Sequence, residues 1–364
     1  MRITDLSIIK LEIPFKVSFS HASATRSVTD SIIVTAHDGQ LTGYGEACPR
    51  SYVTDETYES AYEFFNEYKA SVINEISDIN SLRDWVSSHA DVIDENPAAW
   101  CAIELSLLDM FSREKGCSVE LLIDTPELNG DFQYSAVLGD SSIETFSKLL
   151  EQYRVMGFTD FKLKLSGDLE RDKEKCDVLN QQVSNARVRL DANNMWQNSN
   201  EVIAYIQKLG RDFFSLEEPL KANDYSGLLS IAETLDVKII LDESFIKFQQ
   251  FDYLLDNSTC WIINIRISKM GGLLRSIAIA EQARNVGVEC IVGAQVGETS
   301  LLTRAALTLM NNYRDIVLAQ EGACGTYLLK YDPFRPVLMF GKNGKITQEQ
   351  LRGLGSSGFG LEIK

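Results

Sequence analysis

Histidine is scarce in this 364-residue chain: only His21, His37 and His89 occur, all in the first quarter. A histidine-built zinc site or a Ser-His-Asp triad is therefore excluded from the remaining three quarters. The seven cysteines contain no C-x-x-C pair and are odd in number, so they read as buried thiols of a reducing cytosol. No apolar run approaches the ~20 residues of a membrane span, and nothing like a signal peptide precedes the opening "MRITDLSIIKLEIPF". Positive charge is also in deficit. A net charge of −17 argues against nucleic acid or an anionic membrane as the main partner. It leaves an anionic substrate open, because a metal or a lysine cluster reverses the sign inside one pocket.

What is present divides into two textures. Residues 1–125 read as α+β, with alternating segments "RITDLSIIKLEI" and "SIIVTAHDG", then "GYGEACP", then helical stretches around Glu56–Ala70 and Pro97–Glu114. In residues 126–325 eight short apolar runs recur with amphipathic stretches between them: "FQYSAVL", "DFKLKL", "RVRLD", "FFSLEEP", "KIILDES", "WIINIRI", "VECIVGA" and "DIVLA". Strand–helix repeats of this size close most readily into a (β/α) barrel. Residues 326–364 are turn-rich and are expected to pack back on the first domain.

Charged residues fall at the ends of these runs. Asp191 ends "RVRLD", Glu217 ends "FFSLE", Asp242 ends "KIILD" and Arg266 lies near the end of "WIINIRI", at separations of 26, 25 and 24 residues. Each step is one barrel unit, and barrel active sites lie at the C-terminal ends of the strands. In "DFKLKL", Leu163 and Leu165 alternate with Lys162 and Lys164, which sets both lysines on the barrel's inner face one strand earlier. A strand-end Asp often caps a helix. Three acids at barrel spacing beside two lysines point instead to a cation, and an oxygen-only ligand set favours Mg²⁺. With an ion beside them, Lys162 and Lys164 become candidates for proton transfer.

In order along the chain, "GYGEACP", "FKLKL", "LDANNMW", "LEEP", "LDES", "NIRISKMGGL" and "VGAQVGETS" resemble the enolase superfamily, in its muconate-lactonizing branch. The resemblance implies an α/β fold, a modified (β/α)7β TIM-type barrel of eight strands and seven helices under an N-terminal α+β capping domain. It implies Mg²⁺ held by Asp191, Glu217 and Asp242, a base at Lys164, its electrostatic partner at Lys162, and Asn193 behind the ligands. Glu217 is preferred to Glu218 as the first residue of an E-x-P turn. The activity implied is removal of a proton alpha to a carboxylate giving an enediolate, isomerase-type (cycloisomerase or racemase/epimerase), on a small carboxylic acid. A syn-eliminating dehydratase and a non-catalytic carboxylate-binding relative are the alternatives. A cytoplasmic homo-oligomer is the expected state.

The family's second lysine base is replaced here by Arg266, a poor proton acceptor but a good carboxylate clamp, so one-base chemistry is expected. Lys269 is expected to leave the strand and face the following helix. Substrate choice is expected from the loops Phe15–Arg26 and Pro49–Thr57, where Phe19, His21, Arg26 and Tyr52 either touch substrate or pack the loop. Glu298, in "VGETS" at the seventh strand, is a further candidate for catalysis or substrate contact. At the eighth, "LAQEGAC" offers only Glu321 where dipeptide epimerases of the branch carry a D-x-D.

Overall fold

The computed structural model describes residues 2–21 and 24–364, with the side chains of residues 17–25 outside the described part. The N-terminal unit is built on β1 (Asp5–Leu11), β4 (Ser31–His37) and β5 (Thr42–Ala47), antiparallel in the order β1-β4-β5, with β2 (Pro14–His21) and β3 (Ala24–Val28) as a separate hairpin. Helices α1 (Tyr58–Glu75), α2 (Ile79–Ser88), α3 (Ala90–Glu95), α4 (Pro97–Lys115) and α5 (Val119–Leu122) follow.

Helix α4 opens on Pro97, whose fixed φ suits the first turn, and stops at Gly116, which takes a left-handed conformation with φ 62°. It lies against β5 so closely that a Cβ on Gly43 would stand 2.2 Å from the Ser106 carbonyl oxygen. One on Gly45 would stand 1.9 Å from that of Ala102. The glycines of "GYGEACP" are thus a packing requirement, since only a missing side chain admits a helix backbone at that distance.

The second unit is a single parallel sheet of eight strands in chain order. After the short β6 (Phe132–Gln133) come β7 (Ala136–Leu138), β8 (Asp160–Lys164), β9 (Arg187–Asp191), β10 (Ser215–Glu217), β11 (Lys238–Leu241), β12 (Trp261–Ile265), β13 (Glu289–Val292) and β14 (Val317–Gln320). The ends meet where the Ser135 N–H donates to the Gln320 carbonyl at 2.7 Å. Each of the eight apolar runs supplies one strand of this sheet.

Crossovers carry α6 (Ile143–Met156), α7 (Leu169–Gln182), α8 (Ser199–Leu209), α9 (Tyr225–Leu235), α10 (Leu273–Val286) and α11 (Ser300–Asn312). The remaining crossover, from β11 to β12, is made by two 3₁₀ segments, Phe248–Tyr253 and Leu255–Cys260, in place of a seventh α-helix.

Acids of the first unit hold the starts of two barrel helices. Glu46 accepts from the Thr299 N–H at 2.9 Å and hydroxyl at 2.6 Å, ahead of α11. Glu104 accepts from the Leu274 N–H at 3.0 Å in the first turn of α10. A Cβ on Gly272, at φ 102°, would meet Glu104 Oε1 at 2.4 Å, which explains the second glycine of "MGGL". The C-terminal segment is bonded to the first unit: the Phe359 N–H donates to Asp109 at 2.8 Å and the Gly358 N–H to the Cys117 carbonyl at 2.9 Å.

Candidate active site

Strands β8 and β9 present matching rows of charge to the barrel interior. Their register pairs Asp160 with Arg187, Lys162 with Arg189 and Lys164 with Asp191. The middle pair is like-charged, and Glu321 lies between its members, 2.7 Å from Arg189 and 3.3 Å from Lys162. Arg189 also donates to Asp160 at 3.0 Å and to the Ser135 hydroxyl at 2.9 Å. Below the mouth the barrel is therefore filled by a column of paired ions in addition to branched apolar side chains. Every member of that column has its counter-ion, as burial demands.

The two lysines have different fates. The Lys162 Nζ is buried and ringed by Glu217 at 2.8 Å, Asp191 at 3.1 Å and Glu321 at 3.3 Å. Burial alone would lower its pKa, but Asp191, Glu217 and Glu321 outweigh it and hold the ammonium well above the ordinary lysine range. Lys164, at the strand end, donates to Asn193 Oδ1 at 2.8 Å and stands 3.4 Å from Asp191. Asn193 reaches that place because its backbone turns left-handed, with φ 46°.

Asp191 and Glu217 are direct register partners on β9 and β10, and Asp242 stands just beyond the end of β11. All three are buried. Burial raises Asp191, but Lys162 and Lys164 pull it well below the usual carboxylate range. Glu217 is pushed up, first by burial and then by the neighbouring Asp191, Glu321 and Asp242. Its Oε2 is buried and has no hydrogen-bond partner. Among the described residues no three His, Cys, Asp or Glu side chains are gathered as a ready-made ion site. Asp242 is instead turned onto two cations, Arg266 and Lys269. In donor chemistry the residues fit a hard divalent ion: three oxygen ligands on adjacent strand ends, and one buried oxygen still lacking a positive partner.

Glu218, next in the chain, accepts from the Asp242 N–H and Ser244 N–H, both at 2.7 Å, and from the Ser244 hydroxyl at 2.9 Å. With the Asn194 side-chain amide at 3.2 Å as well, its carboxylate is committed to neutral donors, two of them backbone amides.

Arg266 donates to Asp242 and, at 3.1 Å, to Gln295, so it does not project alone. Burial lowers it, but Asp242 and Glu243 raise it further, leaving the guanidinium firmly charged. Lys269 does not face the following helix. The chain turns sharply after β12, with the Met270 N–H on the Arg266 carbonyl at 3.0 Å. That turn brings the Lys269 Nζ back onto Asp242 Oδ1 at 2.9 Å, the Asp242 carbonyl at 2.8 Å and the Asn264 carbonyl at 2.7 Å. The half-buried Glu298 accepts from the Gln295 N–H, and burial pushes it up to about 7.

In the first unit, Arg26 pairs with Asp30 and places its guanidinium 5.7 Å from the Tyr52 ring centroid. The expectations for the side chains of Phe19 and His21 lie outside the described residues. Buried Arg50 donates to the Asp30 carbonyl at 3.0 Å and to the Val296 carbonyl at 2.7 Å. It thereby ties the loop carrying Tyr52 to the barrel loop carrying Gln295 and Glu298. Arg50, Arg189, Glu243 and Gln295 also border the site, though they are not among the residues singled out by sequence pattern. Arg189 had a signal: "RVRLD" alternates charge with apolar residues as "FKLKL" does, on the neighbouring strand.

Residues 145–358 match the family described as enolase C-terminal domain-like. An L-Ala-D/L-Glu epimerase of Francisella tularensis subsp. novicida is 25% identical over 362 residues, covering 98% of this chain and 99% of that protein. An N-succinyl-L-Arg/Lys racemase of Bacillus cereus is 25% identical over 312 residues, covering 84% of this chain and 83% of its own length. A crystal structure of a dipeptide epimerase from Enterococcus faecalis, complexed with Mg and the dipeptide L-Leu-L-Tyr, superposes with a TM-score of 0.86 at 23% identity, covering 100% of both chains.

Proposed function

The chain belongs to the enolase C-terminal domain-like family, and from that premise we propose that it is a Mg²⁺-dependent isomerase whose Lys164 removes the proton alpha to the carboxylate of a small acid. The observation that carries this reading is the placement of Lys164. It is the strand-end lysine of the β8 pair, with its Nζ 2.8 Å from Asn193 Oδ1 and 3.4 Å from Asp191. Lys162 is locked among three carboxylates and supplies fixed positive charge beneath the reacting group. Asp191, Glu217 and Asp242 would hold Mg²⁺, which supplies positive charge to the substrate carboxylate as the α-carbon loses its proton.

The named relatives are epimerases and racemases, chemistry that requires a proton mover on each face of the α-carbon. Arg266 is firmly charged, and Lys269 already donates to three acceptors. The reading for this chain is therefore one-face chemistry with Arg266 as the carboxylate clamp. Cycloisomerisation is isomerisation of that kind. Syn elimination from a hydroxy acid would use the same face and is told apart by its product.

The test is α-proton exchange in heavy water, followed by NMR, over a panel containing L-Ala-L-Glu, L-Leu-L-Tyr, N-succinyl-L-lysine, muconate and sugar acids. Exchange on one face, abolished in Lys164→Ala with Mg²⁺ affinity retained, is the expected result. Unchanged exchange in Lys164→Ala removes the base assignment, and accumulation of both α-configurations removes the one-face reading.

A further inference from the structure

Asp242 carries both its oxygens on cations of the chain itself, and the two cations are not equivalent. Lys269 is buried, and its three protons are used on Asp242 Oδ1, the Asp242 carbonyl and the Asn264 carbonyl. It cannot leave without stranding a buried ammonium and two carbonyls. Arg266 is held more loosely. One arm donates to Asp242 Oδ2 and the other to Gln295 at 3.1 Å, while its buried Nε has no partner. Its side chain keeps 12% exposure against 0% for Lys269. Of the two cations, only Arg266 is able to swing away and free an oxygen.

A guanidinium and a divalent ion on one carboxylate oxygen exclude each other twice over, by occupying the same lone pairs and by like-charge repulsion at short range. The buried Asp242 nevertheless needs a positive partner on that oxygen at all times.

We propose that Arg266 competes with the metal for Asp242 Oδ2, so that the guanidinium and the divalent ion hold that oxygen in alternation. This rests on the reading of Asp242 as a metal ligand. It gives the site a coupling that a residue without positive charge at position 266 would lack. An anion that draws the guanidinium off Asp242 tightens the ion, and the ion by the same factor tightens the anion. A substrate carboxylate, which a guanidinium grips with two parallel hydrogen bonds, is an anion of that kind.

The test needs no substrate. Mg²⁺ alone is titrated into the full chain by calorimetry, with Mn²⁺ paramagnetic resonance as a second measurement, for wild type, Arg266→Gln, Arg266→Lys and Asp242→Asn. Competition predicts that Arg266→Gln binds Mg²⁺ about tenfold more tightly than wild type and shows a larger Mg²⁺-induced rise in Tm. Arg266→Lys, with a point charge that shares the oxygen less well, falls between the two. Asp242→Asn loses the ion. Unchanged or weaker Mg²⁺ binding in Arg266→Gln, with loss in Asp242→Asn, overturns the competition and leaves the metal site standing. Wild-type affinity in Asp242→Asn, or no Mg²⁺ binding by any form, overturns the ligand assignment and the competition together.

Discussion

The glutamates that hold helix starts, within the first unit and across to the barrel, and the acids at the barrel mouth are buried alike, but they are neutralised in different ways. Glu46, Glu56 and Glu104 accept from backbone N–H groups at helix starts, those of Thr299, of Ala98 and Ala99, and of Leu274. Asp191, Glu217 and Asp242 are met chiefly by side-chain cations, Lys162, Lys164, Arg266 and Lys269. Backbone donors cannot move, so the first set is architecture. A side-chain cation held loosely enough, as Arg266 is, can exchange for an ion, so the second set is equipped to work. The contrast is sharpest between neighbours: Glu218 is bound to the Asp242 and Ser244 amides, while Glu217 meets Lys162 and keeps one oxygen without a partner.

That pair offers the largest expected effect and the most direct way to break the comparison. Glu217→Gln should weaken Mg²⁺ binding by roughly 100-fold or more, the scale on which even groups behind a ligand act, with a small change in Tm. Glu218→Gln should do the reverse. It should lower Tm, because buried amides lose a charged acceptor, while Mg²⁺ affinity stays within a few-fold of wild type. Calorimetric titration and thermal unfolding on the two proteins decide it. Equal losses of Mg²⁺ affinity would dissolve the distinction.

The same distinction explains what was legible in the sequence. The strand ends were readable because a carboxylate recurs at one-unit spacing after an apolar run, and because "FKLKL" alternates over its whole length. Lys269 was not. The strand ends at Ile265 although the alternation runs on through Ile267, and the direction beyond it is set by a turn whose hydrogen bonds, such as Met270 N–H to the Arg266 carbonyl, leave no periodic trace. The 3₁₀ crossover between β11 and β12 was hidden for the same reason. The structural glycines were visible as letters but not as reasons. Gly45 is required by the Ala102 carbonyl and Gly272 by Glu104, contacts across units that no local pattern contains. Glu217 and Glu218 were separated only by resemblance, since both follow an identical apolar run.

A middle-sized effect tests the architectural set. Burial, with Glu298 and Asp332 nearby, pushes Glu46 up to about 8, against the pull of the Thr299 hydroxyl and amide. Its pKa is thus raised in the folded chain, so the folded state binds the proton that the unfolded state releases. The stabilisation is complete below the unfolded value of 4.5 and is lost as pH rises through about 8. Glu56 and Glu104, each pushed up to about 7, act in the same direction and finish earlier. Tm should therefore fall from pH 5 to pH 8. Glu46→Gln should cost on the order of 1–2 kcal/mol at pH 5 through the weakened cap of α11 and should flatten the slope between pH 7 and 8. A slope identical to wild type would mean that Glu46 is ionised throughout, as a working acid would be.

The smallest effect belongs to Asn193, where the two classes touch. Its N–H donates to Asp191 Oδ1 at 3.0 Å, as a backbone donor does in the first unit, while its side-chain oxygen accepts from Lys164 at 2.8 Å. Asn193→Ala keeps the amide and removes the oxygen, so it separates the two functions in one substitution. The left-handed backbone at φ 46° suits asparagine better than alanine, which adds a modest stability loss visible in Tm. Mg²⁺ affinity should hold, because the amide that orients Asp191 is still present. The loss should appear in the rate of α-proton exchange, about five- to tenfold, the worth of roughly 1 kcal/mol for one hydrogen bond to the amine. It should fall on kcat with little change in KM, since Lys164 is freed to wander while the groups proposed to hold the substrate carboxylate, the ion and Arg266, are untouched. Asn193→Gly, which relaxes the backbone and also lacks the oxygen, should regain stability and leave the rate low. If Asn193→Gly restores exchange to wild-type rates, Asn193 belongs to the architecture alone and Lys164 needs no partner to hold it.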